Sequence, residues 1–240
     1  MADFVLKSQV ILIGSYDLSG RINAVALDAG ADALDNTAFG DTTRSFMAGL
    51  KTASLAVEGF MDLTDHDLLM FGNIGAAKFP ASVLVGPNEG DYAYGMEALA
   101  EEYKFLGQVG EMAPFSAVAQ TGDGAGLIRG TLMHNAARTS TANGTARQLG
   151  AVSASQKVYA AMHVLAASGT TPTLDVIVQS DNAEGFPSAT NRITFAQKTA
   201  IGSEWAAPVS GAITDDWWRL AWTIGGGGPS FTFAVWVGIQ

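Results

Sequence analysis

Over residues 231–239, apolar side chains fall on every second position: Phe231, Phe233, Val235, Val237 and Ile239. Just before them, Trp218, Leu220, Trp222 and Ile224 repeat the pattern. A period of two places such side chains on one face of an extended strand, and no helix satisfies it. Segments of the same character recur through the second half, at 127–133, 147–152, 157–166, 173–179, 192–196, 206–213, 217–224 and 231–239. Turn-forming clusters separate them at Ser168-Gly169, Ser180-Asp181-Asn182 and Gly225 to Gly228. Many short strands with regular turn signals predict a sandwich or a jelly roll.

The first half is less regular. Strands are predicted at 4–13, 22–27, 51–62, 82–85 and 114–120, with turn chemistry over Tyr16 to Gly20. Residues 65–71 are ambiguous. The segment 91–106 carries conflicting signals: Met96 to Glu102 is built of helix formers, whereas Tyr92, Tyr94 and Tyr103 favour strand. Propensity alone predicts a helix there. Between the second and third strands lies a loop, Ala29 to Gly49, far longer than the roughly two to five residues that a hairpin needs. The Gly-rich run 121–126 reads as a linker and divides the chain into two expected units, 1–120 and 127–240.

Charge follows that division. The chain has 23 acidic and 13 basic side chains, a net charge of −10. Residues 1–120 hold 16 of the acids and 6 of the bases, and residues 121–240 hold 7 of each. An acidic surface repels a nucleic-acid backbone, which argues against sequence-specific DNA or RNA binding. No apolar run approaches the roughly 20 residues of a membrane span, and no signal peptide or membrane partner is expected. With no cysteine there is no disulfide and no thiolate metal site.

Patterns that would carry chemistry are weak. Gly122 to Gly130 fits neither the dinucleotide fingerprint nor a phosphate-binding loop. Asp62, Asp65, His66 and Asp67 could hold a divalent cation but lack the EF-hand spacing, and a solvated turn is the better reading. Asp181 to Gly185 is likewise a turn. None of His66, His134 and His163 has a nucleophile elbow nearby, and His163, in an apolar strand, reads as a satisfied core histidine. Trp217 and Trp236 lie on the parity opposite to the apolar faces of their strands, so a sugar-stacking role for exposed tryptophans stays open beside packing. No enzymatic constellation, cofactor or metal is expected.

One further pattern spans most of the chain. Leu18-Ser19-Gly20, Gly40-Asp41, Arg44-Ser45-Phe46, Gly49-Leu50-Lys51 and Glu58-Gly59-Phe60 stand in order, followed by Val109-Gly110-Glu111, Pro114-Phe115, Trp217-Trp218-Arg219 and Pro229-Ser230-Phe231. Together they resemble the major tail, or tail tube, proteins of long-tailed non-contractile bacteriophages. The resemblance implies a mainly β fold: a tail-tube-type β-sandwich contributing to a ring-wide inner β-barrel, plus a C-terminal β-sandwich or jelly-roll-like unit. It implies homo-oligomeric, hexameric rings stacked into a tube, a channel for DNA, and neighbouring tail proteins such as tape measure and terminator. It places the protein in the virion tail, after synthesis in the host cytoplasm. It makes 91–106 partly strand. It also makes the long loop an inter-ring contact, through Leu34, Phe39, Asp41, Arg44, Phe46 and Met47. The added C-terminal unit leaves open whether six single or three duplicated subunits make a ring.

An acidic channel agrees with that implication, because basic contacts would add salt-dependent affinity for phosphates. The expected lining is Asp3, Asp17, Asp28, Glu58 and Glu111. Two other classes stay open: another virion component, such as a head-decoration protein, and a carbohydrate-binding β-sandwich.

Overall fold

The computed structural model describes residues 8–62, 66–122 and 124–240. It is mainly β, as the alternation predicts. The strands are β1 (Val10–Ile13), β2 (Tyr16–Asp17), β3 (Ile22–Asp35), β4 (Phe46–Phe60), β5 (Phe79–Leu84), β6 (Tyr92–Phe105), β7 (Pro114–Thr121) and β8 (Ile128–Arg138). They continue with β9 (Ala142–Asn143), β10 (Arg147–Gln148), β11 (Lys157–Asp181), β12 (Thr190–Thr194), β13 (Gly202–Trp205), β14 (Val209–Ser210) and β15 (Trp217–Ile239). One helix, α1 (His66–Asn73), falls where the sequence was ambiguous.

Two compact units are found, and they interleave instead of following one another as 1–120 and 127–240. One comprises residues 1–20, 79–95 and 128–240; the other comprises 21–78 and 96–127. The reason is long-range pairing. β1 pairs with β5, and the first residues of β6, Tyr92 to Gly95, pair with Ile128 to Thr131 of β8. The acidity concentrates in the second unit, whose residues include 13 acidic and 5 basic side chains.

In the larger unit the strand order is β12-β11-β15-β8-β6-β5-β1-β2, with β6 represented by its first residues. Its centre is the antiparallel pair β11–β15. The two predicted strands 157–166 and 173–179 are one continuous strand, and so are 217–224 and 231–239. The residues read as turns lie opposite one another in register: Thr170 faces Gly227 and Thr173 faces Gly225, with register shifts between. Paired irregularities of this kind bend a ribbon without ending it. Trp218, Leu220, Trp222, Phe231, Phe233, Val235 and Val237 join Val158, Met162, Val176 and Val178 in one buried cluster. Trp236, expected to be exposed, is fully buried, because both faces of its strand are covered. An added Cβ at Gly95 would lie 2.1 Å from its ring, so glycine there makes room for the indole. Predicted strands 147–152 and 206–213 shrink to β10 and β14, plus a bridge between Val152 and Ile213.

The smaller unit is a four-stranded antiparallel sheet in the order β3-β4-β7-β6, with β6 represented from Met96 onward. The helix predicted by propensity over 91–106 is strand β6. Tertiary pairing decides the conformation: Ala98, Leu99 and Ala100 pair with Thr121, Gln120 and Ala119, and the helix-forming glutamates sit at a bulge between Ala100 and Glu102. The inward face carries Val25 and Leu27 on β3, Ala53, Leu55 and Val57 on β4, and Phe115, Ala117 and Ala119 on β7. Helix α1 is tied to this unit where Tyr103 donates its hydroxyl to Asp67 Oδ1 at 3.0 Å. Burial first, and then that bond, pushes the Tyr103 pKa up to about 12, so the phenol stays a donor.

The Gly-rich run 121–126 is less free than a linker. Gly122 N–H donates to the Glu97 carbonyl at 2.7 Å, which extends the β6–β7 pairing by one residue. Asp123 lies outside the described residues.

Candidate assembly surface

The expected long loop 29–49 is mostly strand. β3 runs to Asp35 and β4 begins at Phe46, and the two pair throughout, from Ile22 with Gly59 to Asp35 with Phe46. Only residues 36–45 form the tip. Local cross-strand bonding explains why so polar a stretch is extended: each strand supplies the other's backbone partners, and no core is needed.

The tip's polar residues serve its own backbone. Asp35 Oδ1 accepts from Thr37 N–H at 2.9 Å and from Thr37 Oγ1 at 2.5 Å, and these two bonds hold its pKa below the usual carboxylate value. Thr37 Oγ1 accepts from Ser45 N–H at 3.0 Å, and Asp41 Oδ2 accepts from Ala38 N–H at 2.8 Å. The tip is therefore a built turn. Its apolar side chains have no such cover. Leu34 is 51% exposed, Phe39 111%, Phe46 55%, Met47 54% and Leu50 79%. Arg44 has no ion-pair partner among the described residues.

The motif residues that prompted the family resemblance have local structural reasons. Leu18 is fully buried, and Ser19 Oγ accepts from Ile11 N–H at 2.9 Å, locking the β1–β2 turn. Gly59 lies against the Arg21 carbonyl, where an added Cβ would sit 2.1 Å away. Phe60 N–H donates to that carbonyl at 3.0 Å.

The face of the four-stranded sheet opposite its core has an unusual composition. It presents Ala24, Ala26 and Asp28 from β3, Ser54, Ala56 and Glu58 from β4, Ser116, Val118 and Gln120 from β7, and Leu99, Glu102 and Lys104 from β6. Small and polar side chains predominate. Glu101 joins them at the bulge, accepting from Gln120 Nε2 at 2.9 Å. Four carboxylates, Asp28, Glu58, Glu101 and Glu102, stand against one ammonium, Lys104, which is itself 2.7 Å from Glu102.

Of the expected acidic lining, the structure brings Asp28 and Glu58 to this face. Asp17 belongs to β2 of the larger unit, where it pairs with Leu12 and accepts from Ser19 N–H at 2.9 Å. Glu111 lies in the β6–β7 connection, and Asp3 lies outside the described residues. Sequence reasoning missed Glu101 and Glu102, which only a strand reading of 91–106 places on the face.

The other candidates resolve into structural roles. Asp62 Oδ2 is 2.6 Å from the Arg21 guanidinium, and Asp67 accepts from Tyr103; Asp65 lies outside the described residues. Asp181 accepts from the N–H groups of Ala183 and Ser188 and so organises its turn. Trp218, Trp222 and Trp236 are buried, which removes them as sugar platforms.

No protein-family model and no curated protein matches the chain. Similar solved structures share 11–17% identity with it. One is a chain from the virion of a native gene transfer agent particle, with a TM-score of 0.41, covering 50% of this chain and 95% of that one. Another comes from the sheath–tube complex of PVC, an extracellular contractile injection system in its extended state, with a TM-score of 0.43 and coverage of 53% and 90%. A third is the SPP1 Dit protein, described as a hub adsorption apparatus of phages infecting Gram-positive hosts, with a TM-score of 0.38 and coverage of 98% and 100%.

Proposed function

We propose that this protein is a structural subunit of a phage-type tail tube, which self-assembles into stacked rings around a channel for DNA. The observation that carries this reading is the four-stranded sheet itself, with its small, acidic outer face and its open edge. Among the described residues β3 pairs with β4 alone, so its other edge has no partner there. The outer edge of β6 carries β5 near its start and the bridge from Ile74 to Ala100, and past that bridge it has no pairing among the described residues. Open edges invite pairing with another copy. Four strands is an even number, so β3 of one copy and β6 of the next run antiparallel, and a closed ring continues one antiparallel barrel.

Strand counting then bears on the copy number. Six copies give 24 strands, which at about 4.8 Å spacing and about 40° tilt close a barrel about 48 Å across. Subtracting about 10 Å for the small lining side chains leaves about 38 Å, ample for a duplex about 20 Å wide. Three copies give 12 strands and a barrel about 24 Å across, too narrow once lined. Four strands from each chain thus favour six subunits; three duplicated subunits would reach the same bore only if the larger unit of each chain added four more strands. The acidic lining would let DNA slide, because it offers phosphates no counter-charge.

The arm β3–β4 would then extend beyond its own ring and set the stacking, with the virion tail as its location. Negative-stain microscopy of the purified protein tests the reading: rings and tubes with an open bore are expected, and a dispersed monomer at high concentration would overturn it. A head-decoration role predicts single shells or no assembly, and a sugar-binding module predicts capture on a glycan array.

A further inference from the structure

Most exposed apolar side chains of the smaller unit fall in two groups at opposite ends of one sheet; Phe71, Ile74 and Leu99 lie outside both. The first is the arm tip, with Leu34, Phe39, Phe46 and Met47. The second is the far end of β4 and the connection from β6 to β7. There Phe60 is 37% exposed, Phe105 41%, Leu106 65%, Val109 107% and Met112 68%. β4 links the two groups directly, running from Phe46, opposite Asp35, to Phe60, opposite Pro114. Its 15 residues span about 50 Å at the usual strand rise.

Three of the second group, Phe60, Phe105 and Leu106, line a cleft of about 290 Å³ together with Phe115, Glu58 and Lys104. The first group is a protrusion that bears a lone cation, Arg44, beside Asp41. Glu58 and Glu111 at the far end have no ion-pair partner among the described residues. Protrusion and cleft thus match in shape and in apolar character, and Arg44 on the one and Glu58 on the other can form an opposite-charge pair. They lie at opposite ends, so copies stacked in the same direction each donate a tip and receive one, a heterologous contact that repeats without closing, as a filament requires. Two antiparallel copies exchanging tips would instead close as a dimer, and a doubly linked dimer in place of a ladder in the cross-linking below would identify that arrangement.

We infer that the cleft lined by Phe60, Phe105 and Leu106 is the receptor for the arm tip of a second copy, with Phe39 inserted and Arg44 set against Glu58. This rests on the tube reading and adds the receiving surface to it. The apolar insertion supplies affinity, and the charge pair fixes orientation. Every copy then donates one tip and offers one cleft along the strand direction.

The chain has no cysteine, so engineered pairs report contacts directly. Full-length Thr42→Cys and Val109→Cys variants, mixed and oxidised after assembly, should give a disulfide-linked dimer on non-reducing gels. The doubly substituted chain should give a ladder, and each single variant alone should stay monomeric on the gel. Arg44→Glu should slow tube growth at least tenfold, and adding Glu58→Arg should restore it. If tubes form with normal bore but no tip-to-cleft disulfide appears and the charge swap restores nothing, the arm docks elsewhere and this inference falls alone. If none of these chains, including the unmodified one, assembles at any concentration, the tube reading falls with it.

Discussion

Ser82 and His163 share a hydrogen bond of 2.8 Å in the core of the larger unit, and it fixes the state of both. His163 Nδ1 is 2.6 Å from the Gly14 carbonyl, which can only accept, so Nδ1 carries the proton. Nε2 therefore accepts from Ser82 Oγ–H, and Ser82 Oγ in turn accepts from Trp236 Nε1–H at 2.8 Å. Each polar atom in this buried relay has a partner.

Burial holds the His163 pKa down to about 4, against the opposing effect of its bond to Gly14. The unfolded chain takes up its proton near pH 6.5. Stability is thus complete above pH 6.5 and falls as pH drops through 6.5 toward 4, by an amount on the order of 3 kcal/mol. Urea unfolding at pH 7.5 and 4.5 should show this loss. A His163→Gln variant should show a smaller difference between the two conditions, and an unchanged difference would assign the loss to other groups.

Replacing Ser82 with Ala leaves Trp236 Nε1–H and His163 Nε2 without their shared partner in a closed core. Two such groups should cost about 2–4 kcal/mol. Thermal melts followed by circular dichroism measure the effect, and a shift of less than a degree would mean that the core relaxes to satisfy them.

Two glycines of the tail-like motifs should behave oppositely. Gly59→Ala forces a methyl into the Arg21 carbonyl and should cost about 2–3 kcal/mol. Gly20→Ala meets nothing within 4 Å and should change stability by less than about 0.5 kcal/mol. Equal effects would refute the close approach of β4 to Arg21.

Charge reversal tests the lining. Tubes bearing Asp28→Lys, Glu101→Lys and Glu102→Lys should hold duplex DNA at about 50 mM salt and release it by about 200 mM. Unmodified tubes should let it pass at both. Reversed tubes that ignore DNA at low salt would place this face away from the bore.

Shortening the arm separates fold from stacking. Joining Asp32 to Gly49 through a short Gly-Ser turn removes the exposed tip and leaves the pairing of β3 with β4 from Ala29–Ala53 downward. The far-ultraviolet spectrum should stay that of a β protein while tubes disappear in favour of single rings. Normal tubes from the shortened chain would exclude the arm from stacking.

The sequence made the β class plain because two-residue alternation is a local signal. Phe231 to Ile239 and Trp218 to Ile224 show it without help from the rest of the chain. It failed where partners far away decide the conformation. Met96 to Glu102 has helical composition, yet β7 supplies its backbone with a ladder. Gly225 to Gly228 looks like a turn, yet Thr170 to Thr173 bends with it in register. Trp236 looked exposed by parity because nothing local reveals the cover over its second face. The exposed character of Leu34, Phe39, Phe46 and Met47 was readable from their polar neighbours. The cleft at the other end was not, since Phe60, Phe105 and Leu106 meet only through the β4–β7–β6 register.

The long ribbon of β11 and β15 also has a kinetic meaning. Asp181 with Trp217 is its pair nearest in sequence, and Val158 with Ile239 is the farthest. Loop-closure entropy favours starting at the near end and zipping outward. Each further pair then adds little closure cost until the zipper meets the glycine-rich bend. Growth should pause there, with one half of the ribbon formed and the other open. A ribbon that nucleates at Asp181 and stalls at Gly225 makes Thr170 to Thr173 a gate on the folding rate, and substitutions there should act on how fast the chain folds as well as on how stable it is.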